Sequence, residues 1–492
     1  MNKSLSDKAA LLIALNVVKY AIGFLIPIFL VRWLSKDEYG TYQQLLLIGS
    51  AMVGVMHLGL PQSIYYFYNT VEAPRQRTLV LQTVSLLALS GLTAALLVYV
   101  FRDDFAGYMS NDRLGELLPL YCLYLVFFIA SEYLIDLLIS QDRYTKAVVI
   151  QGLETVARAL ILIVPLALGG GLQGLVISIA VYALLRFVVY SYFAKGAIWP
   201  LPPRYRRHLF YSEQLKYSLP LAASSMVGLV GRLLDRAIIS VNFTPSQFAT
   251  YAVGALELPL DVIFQSSVAN VLRASLPPLV KQQRLKEVVR IWRESVRKLA
   301  LIILPVFVFV AVFSYEFITL LFTDSYADSV HVFRIYLLLM PLHIFVLSLI
   351  PQVFGLTKIS FQITLATVSV NVVLSLLLVS LVGYYGPAIA TVTSTYVGVS
   401  IYFLVAMRLL NATVMELVPF AAIARVLMIA IVAAVVASLA GRAMDNAFVQ
   451  FMSYGVCYGI VYIALALIFG VLTQQDKALL RQWGRRLAFK KS

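Results

Sequence analysis

Arg232, Asp235 and Arg236 stand three and four residues apart in the otherwise apolar run "YSLPLAASSMVGLVGRLLDRAIISV", so on a helix they share one face. Two guanidiniums against one carboxylate leave a positive charge, which either attracts an anion or is taken up in a salt-bridge knot. In the next apolar run, Glu257 and Asp261 are four apart. Two close carboxylates resist joint ionisation, which suits proton or cation coupling unless Arg232 and Arg236 simply pair with them. The first half carries Lys19, Arg158 and Arg186 inside apolar runs, with Glu154 one turn before Arg158, and Glu132 one turn before Asp136. Lys19 has no acid in its own run, and about ten residues on either side keep it from reaching a membrane surface. Each such charge costs at least about 2.5–3.5 kcal/mol at the centre of a bilayer, so it faces a partner or a watery cavity. His57 titrates in the physiological range when free, but a satisfied buried histidine is its simpler reading.

The elements that must hold these residues are membrane-spanning helices. The chain is 61% hydrophobic and 13% charged, which excludes an ordinary water-soluble enzyme. A crossing needs about 20 apolar residues, and fourteen runs qualify. They are Ala9–Trp33, Tyr42–Tyr65, Leu79–Val100, Leu117–Ile139, Val148–Leu168, Leu172–Ala194, Tyr217–Val241, Tyr251–Leu272, Ala300–Leu321, Val332–Val353, Phe361–Val382, Ile389–Leu409, Phe420–Ala440 and Phe451–Leu472. The second and eighth carry polar residues and are expected to be broken or to face a cavity. With the N-terminus in the cytoplasm, inner segments hold 26 of the Lys and Arg residues and outer loops 5, which obeys the positive-inside rule and places both termini inside. The net charge of +15 is therefore mostly an orientation signal, with attraction to anionic lipid headgroups at the inner face. No folded basic domain exists to bind nucleic acid.

The longer inner connections are Lys195–Lys216, which contains Pro200, Pro202, Pro203, Arg204, Arg206 and Arg207, and Arg273–Leu299. In the second, Leu285, Val288, Val289, Trp292 and Val296 recur at helical intervals and predict an amphipathic helix on the inner face. All four tryptophans fall near span ends or in inner segments, where an interfacial ring is expected. "LSKDEYGTYQQLL" from Leu34 aligns with "FTPSQFATYAVGA" from Phe243 at an offset of 209, sharing Thr41/Thr250 and Tyr42/Tyr251. That is a parallel repeat of the kind from which many transporters are built. It divides the chain into a first lobe at 1–210, a second at 211–412, and an added helix pair with a basic cytoplasmic tail at 413–492. Prolines 27, 61, 165, 220, 259, 305, 341 and 351 fall in or beside spans and permit bending. Cys122 and Cys457 read as free buried thiols, and two cysteines alone make no metal site. There is no Gly-Lys-Ser/Thr nucleotide loop and no His-Glu-x-x-His, so no cofactor is expected.

On the segments "FLVRWLSKDEYGTYQQLLLI", "HLGLPQSIYYFYN", the seventh run quoted above and "LLFTDSYADSVHVFRIYLLL", the chain resembles the multidrug/oligosaccharidyl-lipid/polysaccharide exporter superfamily, and within it the Wzx-type polysaccharide (O-antigen) flippases. It departs from the family at Ala249 and Thr323, where glycine is usual. The resemblance implies an all-α polytopic membrane protein of about 14 transmembrane helices, two six-helix lobes plus a C-terminal pair, around a central cavity in a bacterial inner membrane. It implies that the protein is no enzyme and turns undecaprenyl-pyrophosphate-linked oligosaccharide, for lipopolysaccharide or a similar glycan, from the inner to the outer leaflet by alternating access. Further partners would be membrane lipids and polysaccharide assembly proteins. Lys19, Arg158, Arg186, Arg232 and Arg236 are then the substrate-binding candidates, and Asp235, Glu257, Asp261, Glu132 and Glu154 the ion-coupling ones. A peptidoglycan-precursor flippase, a small-molecule cation antiporter of the multidrug type and a membrane glycan polymerase or transferase are the rival readings.

Overall fold

The computed structural model describes residues 5–199, 210–440, 444 and 446–471. The proline- and arginine-rich stretch 200–209 and the basic C-terminal tail lie outside the described residues, as does Trp483. Among the described residues the regular structure is helical. In chain order the helices are α1 Leu5–Trp33, α2 Lys36–Met56, α3 Leu60–Phe67, α4 Ala73–Val100, α5 Arg102–Tyr108, α6 Asp112–Ala130 and α7 Leu134–Ser140. There follow α8 Tyr144–Ala167, α9 Gly171–Ile198, α10 Tyr211–Asn242, α11 Pro245–Gly254, α12 Pro259–Lys281, α13 Leu285–Val312 and α14 Ser314–Phe322. The remaining helices are α15 Ser329–Leu337, α16 Leu349–Val353, α17 Thr357–Val382, α18 Gly386–Leu410, α19 Val414–Leu417, α20 Phe420–Ala440 and α21 Ala447–Ile468.

Among the described residues, twelve helical stretches are long and apolar enough to cross a membrane, and the bent pair α11–α12 makes a thirteenth. One of the twelve, Thr357–Leu410, spans 54 residues but is two helices. A Cβ on Gly386 would lie 2.4 Å from the Leu378 carbonyl, eight residues back, where a straight helix would have risen about 12 Å. Asn371 Nδ2 donates to Thr391 Oγ1 at 3.3 Å across the same turn. Read as an antiparallel pair, this stretch brings the spans to the fourteen that the sequence predicts. The protein is a multi-pass membrane protein.

Two spans expected to be irregular are broken. The second parts between α2 and α3, where Leu58 and Gly59 both have positive φ. A Cβ on Gly59 would also come 2.5 Å from the Ser218 carbonyl oxygen, so glycine is required there twice over. The eighth bends by 49° between α11 and α12, with Pro259 opening α12. The fourth and tenth spans are broken too, between α6 and α7 and between α15 and α16, where Met340–Ile344 forms a 3-10 turn. The expected amphipathic helix within Arg273–Leu299 is corrected. Its periodicity belongs to the first half of α13, which runs unbroken into the ninth span with Val288, Trp292 and Val296 buried. Trp292, 1% exposed, is thus a core residue and not an interfacial ring.

The repeat is written into the helix starts. Ser35 caps α2 in a capping box with Glu38, and Thr244 caps α11 in a capping box with Gln247, the same two positions 209 residues apart. Thr41 Oγ1 then returns to Asp37 O at 2.8 Å and Thr250 Oγ1 to Ser246 O at 3.1 Å, again in register. α2 and α11 pack together, and Gly40 lets the backbones touch: a Cβ there would lie 1.9 Å from the Pro245 carbonyl oxygen.

The chain forms two compact units, residues 1–259 with 364–394, and 260–363 with 395–492. Residues 211–259 therefore group with the first unit, although the repeat assigns them to the second lobe. In the second unit, α20 and α21 pack on α13. Ala430, Ala433, Ala434 and Ala437 let the aromatic cluster of Phe309, Phe313, Tyr454 and Tyr458 approach closely. Pro305 has no N–H to give the Leu301 carbonyl, and Tyr462 Oη supplies that hydrogen bond instead at 3.1 Å. The added helix pair thus satisfies the ninth span's proline defect. Both cysteines are free thiols.

Candidate functional site

Nine of the ten expected site residues lie in the first unit; Asp261 lies in the second. The first unit's polar centre is Arg186, brought by α9 with Tyr182 and Tyr190 one turn to either side. α8 contributes Glu154 and Arg158, and the break between α6 and α7 contributes Ser131 and Glu132. At the break the Phe128 carbonyl accepts from the Ser131 backbone N–H at 3.1 Å and from Ser131 Oγ at 2.8 Å. Arg186 Nη1 donates to it at 3.1 Å and to Ser131 Oγ at 2.6 Å. Its Nη2 donates to Glu132 Oε1 at 2.7 Å and its Nε to Glu154 Oε1 at 2.9 Å. The Tyr182 and Tyr190 hydroxyls donate to the two Glu154 oxygens, each at 2.5 Å. The guanidinium also sits 4.3 Å from the Phe128 ring centre and 4.6 Å from that of Tyr190.

This geometry redraws the expected pairings. Glu154 serves Arg186 and not Arg158 one turn away on its own helix. Glu132 sits in a helix break and is the second partner of Arg186. Asp136, now on α7, accepts from Tyr65 Oη at 2.6 Å. His57 occupies the break in the second span, half-buried, where its Nδ1 accepts from Gly59 N at 3.3 Å.

The remaining cations are differently placed. Arg158 is accessible, with its guanidinium 5.9 Å from the Tyr182 ring centre and in electrostatic reach of Tyr42, Tyr124 and Glu154. Lys19 is exposed on α1, which packs on α8 through Leu15 against Gly152. On α10, Arg232 is exposed and Arg236 half-buried, and both flank buried Asp235 as the spacing requires. Asp235 Oδ1 accepts from the Arg236 backbone N–H at 2.8 Å. Among the described residues, Lys19, Arg158, Arg232 and Arg236 make no ion pair.

The eighth-span acids do not share a helical face. Glu257 is exposed in the bend before α12, whereas Asp261 is buried in its first turn. The partner of Asp261 is neither arginine but His343, whose Nδ1 lies 2.5 Å from Asp261 Oδ2. Reasoning from permanent charge passes over His343, although an intramembrane imidazole is itself a signal. It also passes over a buried amide network. There Gln214 Nε2 donates to Ser63 Oγ at 2.8 Å and Thr83 Oγ1 at 2.7 Å, and Gln82 Nε2 donates to Gln214 Oε1 at 2.6 Å. Among the described residues, no group of three or more His, Cys, Asp or Glu side chains could hold a metal ion.

Residues 29–331 match the model of a family described as "Polysaccharide biosynthesis protein". No curated protein matches the chain in sequence. Among solved structures, the fold is similar to that of a lipid II flippase MurJ in an inward closed conformation. The TM-score is 0.70 at 14% identity over 93% of this chain and 98% of that one. It is also similar to an inward-facing multidrug resistance MATE family transporter of the MOP superfamily, with a TM-score of 0.61 at 13% identity over 80% and 94%. A third similar structure is a MOP superfamily transporter from Pyrococcus furiosus, with a TM-score of 0.55 at 12% identity over 82% and 96%.

Proposed function

The chain belongs to the polysaccharide biosynthesis protein family, and from that premise we propose that it is a Wzx-type flippase. On this reading it carries undecaprenyl-pyrophosphate-linked oligosaccharide from the inner to the outer leaflet of a bacterial inner membrane, with both termini in the cytoplasm. It works by alternating access between two six-helix lobes and catalyses no covalent step.

The observation that carries the proposal is the division among the intramembrane cations. Arg186 is ion-paired with two carboxylates, whose excess negative charge lies in reach of Arg158, whereas Lys19, Arg232 and Arg236 remain without ion pairs among the described residues. Three cations without ion pairs in apolar spans favour an anionic partner, and a sugar-linked diphosphate supplies two or more negative charges. Arg186 then acts as the scaffold that fixes Glu132 and Glu154 beside Arg158, and Asp235, Glu257 and Asp261 are the ion-coupling candidates of this reading. A flippase for the peptidoglycan precursor uses the same headgroup charge. Depletion separates the two, since that substrate gives lysis where a glycan substrate gives loss of surface polysaccharide. Lys19→Ala and Arg232→Ala are expected to abolish surface glycan while the protein still inserts. Normal glycan display in both variants contradicts the assignment.

A further inference from the structure

The second and fourth spans of each half are broken, and each pair of breaks brings one histidine and one acid into the span interiors. In the first half, His57 stands at the second span's break and Glu132 at the fourth's. In the second half the types are exchanged: Asp261 opens the lower part of the eighth span and His343 lies in the 3-10 turn of the tenth. The halves then part company. Glu132 is held by Arg186 from the sixth span, but the twelfth-span helix α18 carries no charged residue before Arg408 in its last turn. Asp261 therefore has an imidazole where Glu132 has a guanidinium.

We propose that Asp261 and His343 form a proton-binding site in the second unit. Asp261 is buried, its side chain 6% exposed, while that of His343 is 31% exposed and so open to proton exchange. Asp261 Oδ1 accepts from the Val262 backbone N–H at 2.8 Å, leaving Oδ2 for the ring. Added at the imidazole, one proton turns a hydrogen bond between a carboxylate and a neutral ring into an ion pair, and its loss leaves a buried carboxylate uncompensated. Both residues sit beside bends, so the contact holds two broken spans to each other.

Few other charges compete. The 3-10 turn packs on α13 and α15. α13 has no titratable side chain from Leu299 to Val312. α15 carries His331, Arg334 and Tyr336, of which Arg334 donates to Ser314 Oγ at 2.6 Å. α18 reaches the tenth span through Tyr396 Oη on the Leu338 carbonyl and Phe403 on Phe345, with Tyr402 and Arg408 its other ionisable groups. Glu257 lies on the strand of chain just before α12, exposed and without an ion pair among the described residues. Coupling of this proton to the bends during transport rests on the function proposed above; the binding itself does not.

The test uses the full chain in lipid nanodiscs with 15N-labelled histidine, His343 being assigned as the resonance lost in His343→Gln. Between about pH 5 and 8.5, the wild-type resonance is expected to pass between neutral and imidazolium forms, on a curve displaced in Asp261→Asn. A resonance that stays in one form throughout, or superimposable curves in the two proteins, overturns the site. In proteoliposomes, flipping by the wild type is expected to respond up to about tenfold to one unit of transmembrane pH difference, as for a one-proton step, and His343→Gln to flatten that response. If wild-type proteoliposomes do not flip while the His343 curve behaves as expected, the transport function fails and the proton site stands.

Discussion

The Arg186 cluster and the Asp261–His343 pair occupy comparable places in the two halves, at breaks in the second and fourth spans, yet they solve the problem of a buried acid differently. Arg186 gives hydrogen bonds to two carboxylates, a hydroxyl and a helix-end carbonyl. A guanidinium keeps its charge at every physiological pH, so this arrangement is permanent and serves to hold helices. The pair in the second unit joins a carboxylate to an imidazole, which on the proposal above binds a proton. On the proposal above, one half is built to be fixed and the other to respond.

The largest expected effect tests the fixed half. Arg186→Met leaves Glu132 and Glu154 without their cation and is expected to cost about 3–5 kcal/mol of stability. His343→Gln, which keeps a polar partner for Asp261, is expected to cost about 1 kcal/mol. Chemical unfolding in mixed micelles compares the two, and equal losses would erase the distinction. Next comes the buried amide network: Gln214→Leu leaves Gln82 Nε2 without its acceptor and removes the donor to Ser63 Oγ and Thr83 Oγ1, and is expected to cost about 2 kcal/mol by the same measurement. Smaller and sharper is the comparison of the twin helix starts. Ser35→Ala and Thr244→Ala each remove a capping box and are expected to cost about 1 kcal/mol apiece, matching one another because the local geometry repeats. The smallest effect has the opposite sign. Thr323 adopts φ +72° where the resembled family carries glycine, and Thr323→Gly is expected to raise stability by about 1 kcal/mol through relief of backbone strain.

Much of the architecture is legible in the sequence because the bilayer imposes it. Span length, the alternation of Lys and Arg, and polar content in the second and eighth spans follow from apolar run length and charge cost alone. The repeat is visible through Thr41/Thr250 and Tyr42/Tyr251, and its cause, the paired capping boxes of Ser35–Glu38 and Thr244–Gln247, could have been read from the same alignment. The pairing of charges is not legible in this way. Spacing along one helix suggests Glu154 for Arg158 and Glu257 beside Asp261, but the partners that win come from other helices, Arg186 and His343, at distances in sequence that no periodicity encodes. The helical pattern after Arg284 is correctly periodic and wrongly placed, since a buried face on an extension of a span and an amphipathic face on a membrane share the same spacing. Trp292 belongs to that error.

The most direct test is leaflet-resolved transport of a defined undecaprenyl-pyrophosphate-linked oligosaccharide by the purified protein in proteoliposomes, comparing the wild type with Lys19→Ala and Arg232→Ala. Movement by the wild type that is lost in both variants, with folding intact, is the predicted result. Undiminished movement in both variants, or none in the wild type, contradicts a carrier that shelters its anionic headgroup among unpaired cations.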